Sequence, residues 1–185
     1  MSPEAPLPPR PPPAASAYLH YIGSSGRNVK IARMDANIWS DDWGEQGEDW
    51  SGGGAVSKRL PRADERPGLG VTVYELDPGD FAVYHFHHAD EELLIVLRGR
   101  PTLRTPEGER TLNEGDSVHF PPGSDGAHGL RNDTDSSVRY LMASTITSPE
   151  VVEYPDLRQI TAQARTGSLT GERLWLIHDV EPKEE

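Results

Sequence analysis

The chain has 185 residues, 35% of them hydrophobic, with 18 Gly and 17 Pro, which leaves room for one sizeable core and fits a turn-rich β protein better than a helical one. Its 18 Lys and Arg stand against 30 Asp and Glu, a formal charge of −12, and so acidic a surface argues against nucleic acid and anionic membranes as partners. Cysteine is absent, which excludes disulfides and thiolate ligands; with no cationic start before an apolar run and no long apolar segment, a soluble cytoplasmic protein is expected.

Residues 1–17 read as a Pro-rich disordered tail. Seven prolines fall within the first 15 residues, favouring polyproline II and leaving little to bury. An arm follows over 18–54, expected to pack on the barrel or on a dimer partner. Within it Trp39, Trp43 and Trp50 sit among Asp41, Asp42, Glu45, Glu48 and Asp49. Trp39 and Trp43 are four apart, so one helical turn would place them on the same face. Their large apolar area suits an arm lying over the outside of a barrel.

From Ala55 the pattern becomes β, and 55–148 is expected to form the barrel. Short apolar runs recur as AVSKRL, LGVTVYEL, FAVYHFH, ELLIVLR, PTLRT, ERTL, DSVHF, AHGLR and SVRYLMAS, with turn signals at 78–80, 106–109, 113–116 and 132–135. Many short strands without helical crossovers predict an all-β sandwich or closed barrel. Residues 149–185 are expected to add strands at an edge or along the outside.

The chemistry-bearing residues lie in two blocks, 79–99 and 115–132. Strand alternation puts His85 and His87 on one face, with Phe81 and Val83 expected beneath them. Glu91 and Glu92 begin the next strand, and only one can face inward; Leu94 and Val96 would continue the face of Glu92. His128 follows in the second block. Burying imidazoles with a carboxylate costs free energy unless they are paired or bind a metal. His20, His88, His119 and His178 read as structural or solvent-facing, and Arg98, Arg100 and Arg104 as surface residues. The facing of Tyr74, Tyr84 and Tyr140 is left open by the pattern.

These blocks resemble the two motifs of the cupin superfamily. The first is matched by Gly79, His85, His87, Glu92 and Gly99, whose last interval selects Glu92 over Glu91. The second is matched by Gly115, Pro121, Gly123, His128 and Asn132, with four residues, Ser124 to Ala127, where two are usual. A weaker likeness to bacterial single-domain cupins of unassigned function rests on PTLRTPEGE and on Tyr154 to Asp156. The resemblance implies an all-β double-stranded β-helix, a jelly-roll-like barrel with its N-terminal arm, and usually a homodimer. It also implies one divalent transition metal per chain (Fe, Mn, Ni or Zn) on His85, His87, Glu92 and His128.

The reading that follows is a metal-dependent enzyme acting on a small polar, metal-chelating molecule, of dioxygenase, decarboxylase, isomerase or lyase type. The alternatives are a non-catalytic module binding a metal and a small ligand, as a sensor or store, and a barrel that a metal merely braces. An apolar cavity was the expectation, since Phe81, Val83, Leu94 and Val96 would share the inner face.

Overall fold

Inward-facing positions recur at every second residue of a strand, and in this chain those rows change from apolar to polar along their length. In the computed structural model, which describes residues 37–46, 53–60, 68–164 and 174–180, this gradient gives the barrel a packed end and a reactive end. The tail, residues 18–34, Trp50 and His20 lie outside the described residues.

Among the described residues twelve strands follow in chain order: β1 (Val56–Arg59), β2 (Leu69–Leu76), β3 (Phe81–His87), β4 (Glu92–Arg98), β5 (Thr102–Thr105), β6 (Gly108–Thr111), β7 (Ser117–Phe120), β8 (His128–Arg131), β9 (Val138–Thr145), β10 (Glu150–Tyr154), β11 (Gln159–Ala164) and β12 (Leu174–Asp179). They form a five-stranded sheet, β1-β2-β9-β4-β7, and a seven-stranded sheet, β12-β11-β10-β3-β8-β5-β6. Every strand pair is antiparallel. Together the sheets make a double-stranded β-helix. Among the described residues the one helical element is a 3₁₀ turn, Ser124–Gly126, and no helix is long and apolar enough to cross a membrane.

The sheets meet over Leu76, Leu94, Val96, Leu103, Leu112, Phe120, Leu130, Tyr140 and Met142. Register explains the gradient. On β2 the inner row runs Leu76, Tyr74, Thr72, Gly70, beside Val138, Tyr140, Met142, Ser144 on β9. On β4 it runs Val96, Leu94, Glu92, and across the barrel β8 carries Leu130 and then His128. The apolar ends supply the hydrophobic free energy, and the polar ends gather at one mouth.

Strand β3 departs from simple alternation. Ala82 pairs with Leu130 and His85 with His128, so three steps on β3 match two on β8, with an irregularity between. One extra residue reverses the parity of the strand. Ala82 packs against the core, and yet both histidines also face inward. The expectation that Phe81 and Val83 share the histidines' face is therefore corrected: Phe81 is 40% exposed, and Val83 does not line the cavity.

The arm segment 37–46 lies on the barrel but without the helical turn that would align its tryptophans. It is a turn followed by irregular chain, not a helix, and Trp39 is 55% exposed. Trp43 instead lies under two cations, Lys58 and Arg139. Gln46 spans the gap to β1, accepting from Ser57 N at 2.9 Å and donating to Ser57 O at 3.0 Å. This segment covers the outer face of β9, where Arg139 is only 1% exposed.

Candidate metal centre

Four side chains from three strands converge at the polar end. His85 and His87 come from β3 after its bulge, Glu92 opens β4, and His128 opens β8. The Nε2 atoms of His128, His87 and His85 lie 3.2, 3.4 and 3.9 Å from one oxygen, Glu92 Oε2. Glu92 is 9% exposed, whereas Glu91 is exposed and bonds His119. The structure thus brings together the four residues singled out from the sequence, and His85, His87 and Glu92 form a group that could hold a metal ion.

Backbone carbonyls set the imidazole tautomers. His85 Nδ1 donates to Val83 O at 2.7 Å and His128 Nδ1 to Gly126 O at 2.9 Å; a carbonyl only accepts, so these nitrogens carry the hydrogens. With its Nδ1 hydrogen so placed, each ring, when neutral, turns an Nε2 lone pair toward the carboxylate. Glu92 Oε2 and His128 Nε2 are buried without a hydrogen bond, an arrangement that repels unless a cation sits between them. Ligand atoms about 2.0–2.2 Å from a shared ion are themselves about 3.0–3.4 Å apart, close to the spacing of this cluster. The donor set fits a divalent first-row metal.

The electrostatics agree. Burial, reinforced by His128, lowers the His85 pKa to about 3, so it is neutral. For Glu92 burial works upward, but contact with His128 and His87 outweighs it and holds the carboxyl well below its ordinary range. His87 is lifted above the usual imidazole value because Glu92 overcomes the effect of burial. Glu92 therefore demands a positive neighbour, a role that a proton on His87 or a metal ion can fill.

The longer spacing before His128 is absorbed by the 3₁₀ turn Ser124–Gly126. Gly123 N donates to His87 O at 2.7 Å, and Ala127 N to Ser124 O at 3.1 Å. His128 thereby stays opposite His85, with Phe120 stacked on its ring at 3.7 Å. Gly126 allows this close approach: a Cβ there would lie 1.8 Å from Pro121 O. Gly126→Ala is accordingly expected to lower unfolding stability by about 2 kcal/mol, as overpacking does. By shifting the loop that carries the His128 acceptor it should also weaken metal binding about tenfold. Urea unfolding and a cobalt(II) titration read the two effects.

A cavity of about 270 Å³ adjoins the cluster. Its wall is mostly polar, which corrects the expected apolar cavity. Thr72 and Tyr74 come from β2 and Ser144 from β9, while Tyr154, Thr161 and Gln163 come from β10 and β11. Tyr154 stacks against His85 at 5.7 Å. The C-terminal strands therefore build one side of the site, a role that alternation within 149–185 did not disclose. Of the three tyrosines left open, Tyr74 lines the cavity, Tyr140 stacks on it at 5.1 Å within the core, and Tyr84 lies under Arg104. Arg98 and Arg104 pair with Glu75 and Asp156 outside the cavity; the latter pair joins the two stretches that carried the weaker sequence likeness. The cation in the cavity wall is Arg59, a residue the sequence did not single out. Asn132 is structural, donating to Leu76 O and Ser136 O at 2.9 and 2.8 Å.

Comparison with known proteins agrees with this geometry. The family described as "Cupin domain" matches residues 72–144. A sugar phosphate isomerase of the cupin superfamily from Silicibacter pomeroyi DSS-3 has 28% identity and a TM-score of 0.59, covering 68% of this chain and 76% of its own. A protein described as a candidate sugar phosphate isomerase, from Acidithiobacillus ferrooxidans ATCC 23270, has 27% identity and a TM-score of 0.57, covering 71% of this chain and 81% of its own. No curated protein sequence matches the chain.

Proposed function

With residues 72–144 being a cupin domain, we propose that this chain is a metal-dependent isomerase of a small polyhydroxy carbonyl compound bearing an anionic group, with a sugar phosphate as the substrate class. One divalent ion is held by His85, His87, Glu92 and His128. The observation that carries the reading is the polar cavity beside this cluster, with hydroxyl and amide groups along its wall and one arginine. An apolar or aromatic substrate would desolvate this polar wall at a cost; a polyol can exchange hydrogen bonds with it. The two similar structures named for sugar phosphate isomerisation support the same class.

A divalent ion held by His85, His87, Glu92 and His128 would supply Lewis acidity toward the substrate carbonyl. The protein's residues orient the substrate and stabilise the charge that develops on its oxygens. Aldose–ketose exchange moves one proton between adjacent carbons and one between their oxygens, with no net redox change. Burial raises the pKa of Tyr154 and of Tyr74, so both phenols stay protonated and offer O–H donors to a developing alkoxide. Thr72, Ser144 and Gln163 orient hydroxyls.

Arg59 meets the anionic group. It has no carboxylate partner among the described residues and stands at an exposed position on β1. Arg59→Ala is expected to raise KM for a phosphorylated sugar about tenfold, a modest effect for an exposed charge-assisted bond, with kcat and the KM for the unphosphorylated sugar little changed.

The test of function is a panel of pentose and hexose phosphates given to manganese-, nickel-, zinc- and iron(II)-loaded protein in D2O. Proton NMR is expected to show exchange at the carbon next to the carbonyl and product growth, both abolished by chelation. Tight sugar phosphate binding without exchange or turnover under every metal would favour the non-catalytic binding module instead.

A further inference from the structure

A buried carboxylate stands behind His87, on the side away from Glu92. Glu150 opens β10, which pairs with β3 so that Val152 lies opposite His87. Its inner row is Glu150, Val152, Tyr154, and the last two line the cavity. The Glu150 side chain is wholly buried, and its Oε1 is 3.4 Å from His87 Nδ1. Ala89 N donates to the same oxygen at 3.4 Å.

His87 differs from its two neighbours in the cluster. His85 and His128 place their Nδ1 hydrogens on backbone carbonyls. His87 Nδ1 is buried and makes no hydrogen bond, its 3.4 Å contact with Glu150 Oε1 being an ion-pair contact only, and Glu150 Oε2 is likewise buried without a hydrogen bond. Asp90 is also near this nitrogen, but its Oδ1 is already committed, accepting from Thr147 N at 2.6 Å and Thr145 Oγ1 at 3.5 Å. The carboxylate oxygen that stands nearest His87 Nδ1 is Glu150 Oε1, at 3.4 Å.

We infer that Glu150 is a positioning residue for His87: its Oε1 takes the Nδ1 hydrogen and fixes the tautomer that turns Nε2 toward Glu92. This rests on reading the four-residue cluster as a metal centre. Stability alone gives no reason for a carboxylate here, since an apolar residue of similar volume would spare the cost of burying the charge. A carboxylate behind a ligating imidazole does have a use: it fixes the ring and makes the other nitrogen a stronger donor.

The test is a cobalt(II) titration of the full chain, read by the visible d–d absorption of the ion. Wild type is expected to take one ion. Glu150→Gln, whose amide oxygen still accepts the hydrogen, should bind about tenfold more weakly. Glu150→Leu should bind about 100-fold more weakly, with shifted d–d bands, while the metal-free melting temperature does not fall. Unchanged affinity and spectrum in both variants would overturn the assignment alone; if the Leu variant does not fold, unchanged affinity in Glu150→Gln suffices. Two ions in wild type and one in Glu150→Gln would also overturn it, making Glu150 a ligand of a second ion with His87 and Asp90. Failure of wild type to bind cobalt would overturn both this assignment and the metal reading beneath it.

Discussion

Replacing His128 with alanine is expected to weaken binding of a divalent first-row metal by more than the roughly 10–100-fold that loss of an outer-shell partner costs, and to abolish turnover. His128 is the most buried of the three imidazoles, at 2% exposure. Its Nε2 is also the nearest to Glu92 Oε2, at 3.2 Å. Phe120 and the Gly126 carbonyl hold the ring in place before any ion arrives, so little ordering entropy is spent on binding. The variant removes a pre-set nitrogen and leaves Glu92 with one fewer positive or hydrogen-bearing neighbour. The fold should survive, because the apolar end of the barrel does not depend on this residue. Isothermal titration with zinc or manganese measures the affinity, and thermal melting of the metal-free protein checks the fold. Unchanged affinity would remove His128 from the ligand set.

The second large effect is expected far from the cavity. Arg139 is buried on the outer face of β9, where its Nε donates to Glu75 Oε2 at 2.7 Å. Its Nη2 donates to Asp41 Oδ1 at 2.7 Å, its Nη1 to Ile38 O at 3.1 Å, and its guanidinium lies over Trp43. One side chain therefore ties segment 37–46 to the barrel. Arg139→Ala leaves Glu75 half-buried with only Arg98 to neutralise it. Breaking a buried pair costs about 3–5 kcal/mol, and the low end applies because Arg98 stays. For a chain of this length that lowers the melting temperature by roughly 10 °C, with metal affinity unaffected. The hydrogen bond from Arg139 holds Asp41 below its usual 3.8. Its share of the stability is thus present at neutral pH and is lost only as pH falls below that value.

Much of the site was legible because its chemistry is carried by short local patterns. His85 and His87 two apart on a strand, Glu92 at the start of the next, and turn residues at fixed offsets all survive without knowledge of the tertiary fold. The bulge on β3 left no such mark. Val83 and Tyr84 are ordinary strand formers, and the extra residue exists only relative to β8; parity counted from His85 back to Phe81 therefore does not hold, and with it goes the apolar wall that alternation predicts. The wall from β10 and β11 was hidden for a related reason. Tyr154, Thr161, Gln163 and Glu150 face the site because β10 pairs with β3, more than 60 residues away in sequence, and no local period encodes that choice. A signal was available in the rows themselves, since Thr72, Glu92 and Ser144 each end an otherwise apolar alternation. In segment 37–46 Trp39 and Trp43 have helical spacing, but Asn37, Ser40 and Asp42 bond nearby backbone N–H groups and favour turns, which competes with a helix.

One divalent ion is expected among His85, His87, Glu92 and His128. Anomalous diffraction from a crystal of the full chain loaded with manganese or zinc, collected at the absorption edge of that metal, tests it most directly. The expected result is one peak per chain, about 2.0–2.2 Å from the three Nε2 atoms and a Glu92 oxygen. No peak after loading, or a peak seated on His87 Nδ1, Asp90 and Glu150 with none among the four residues, would contradict it.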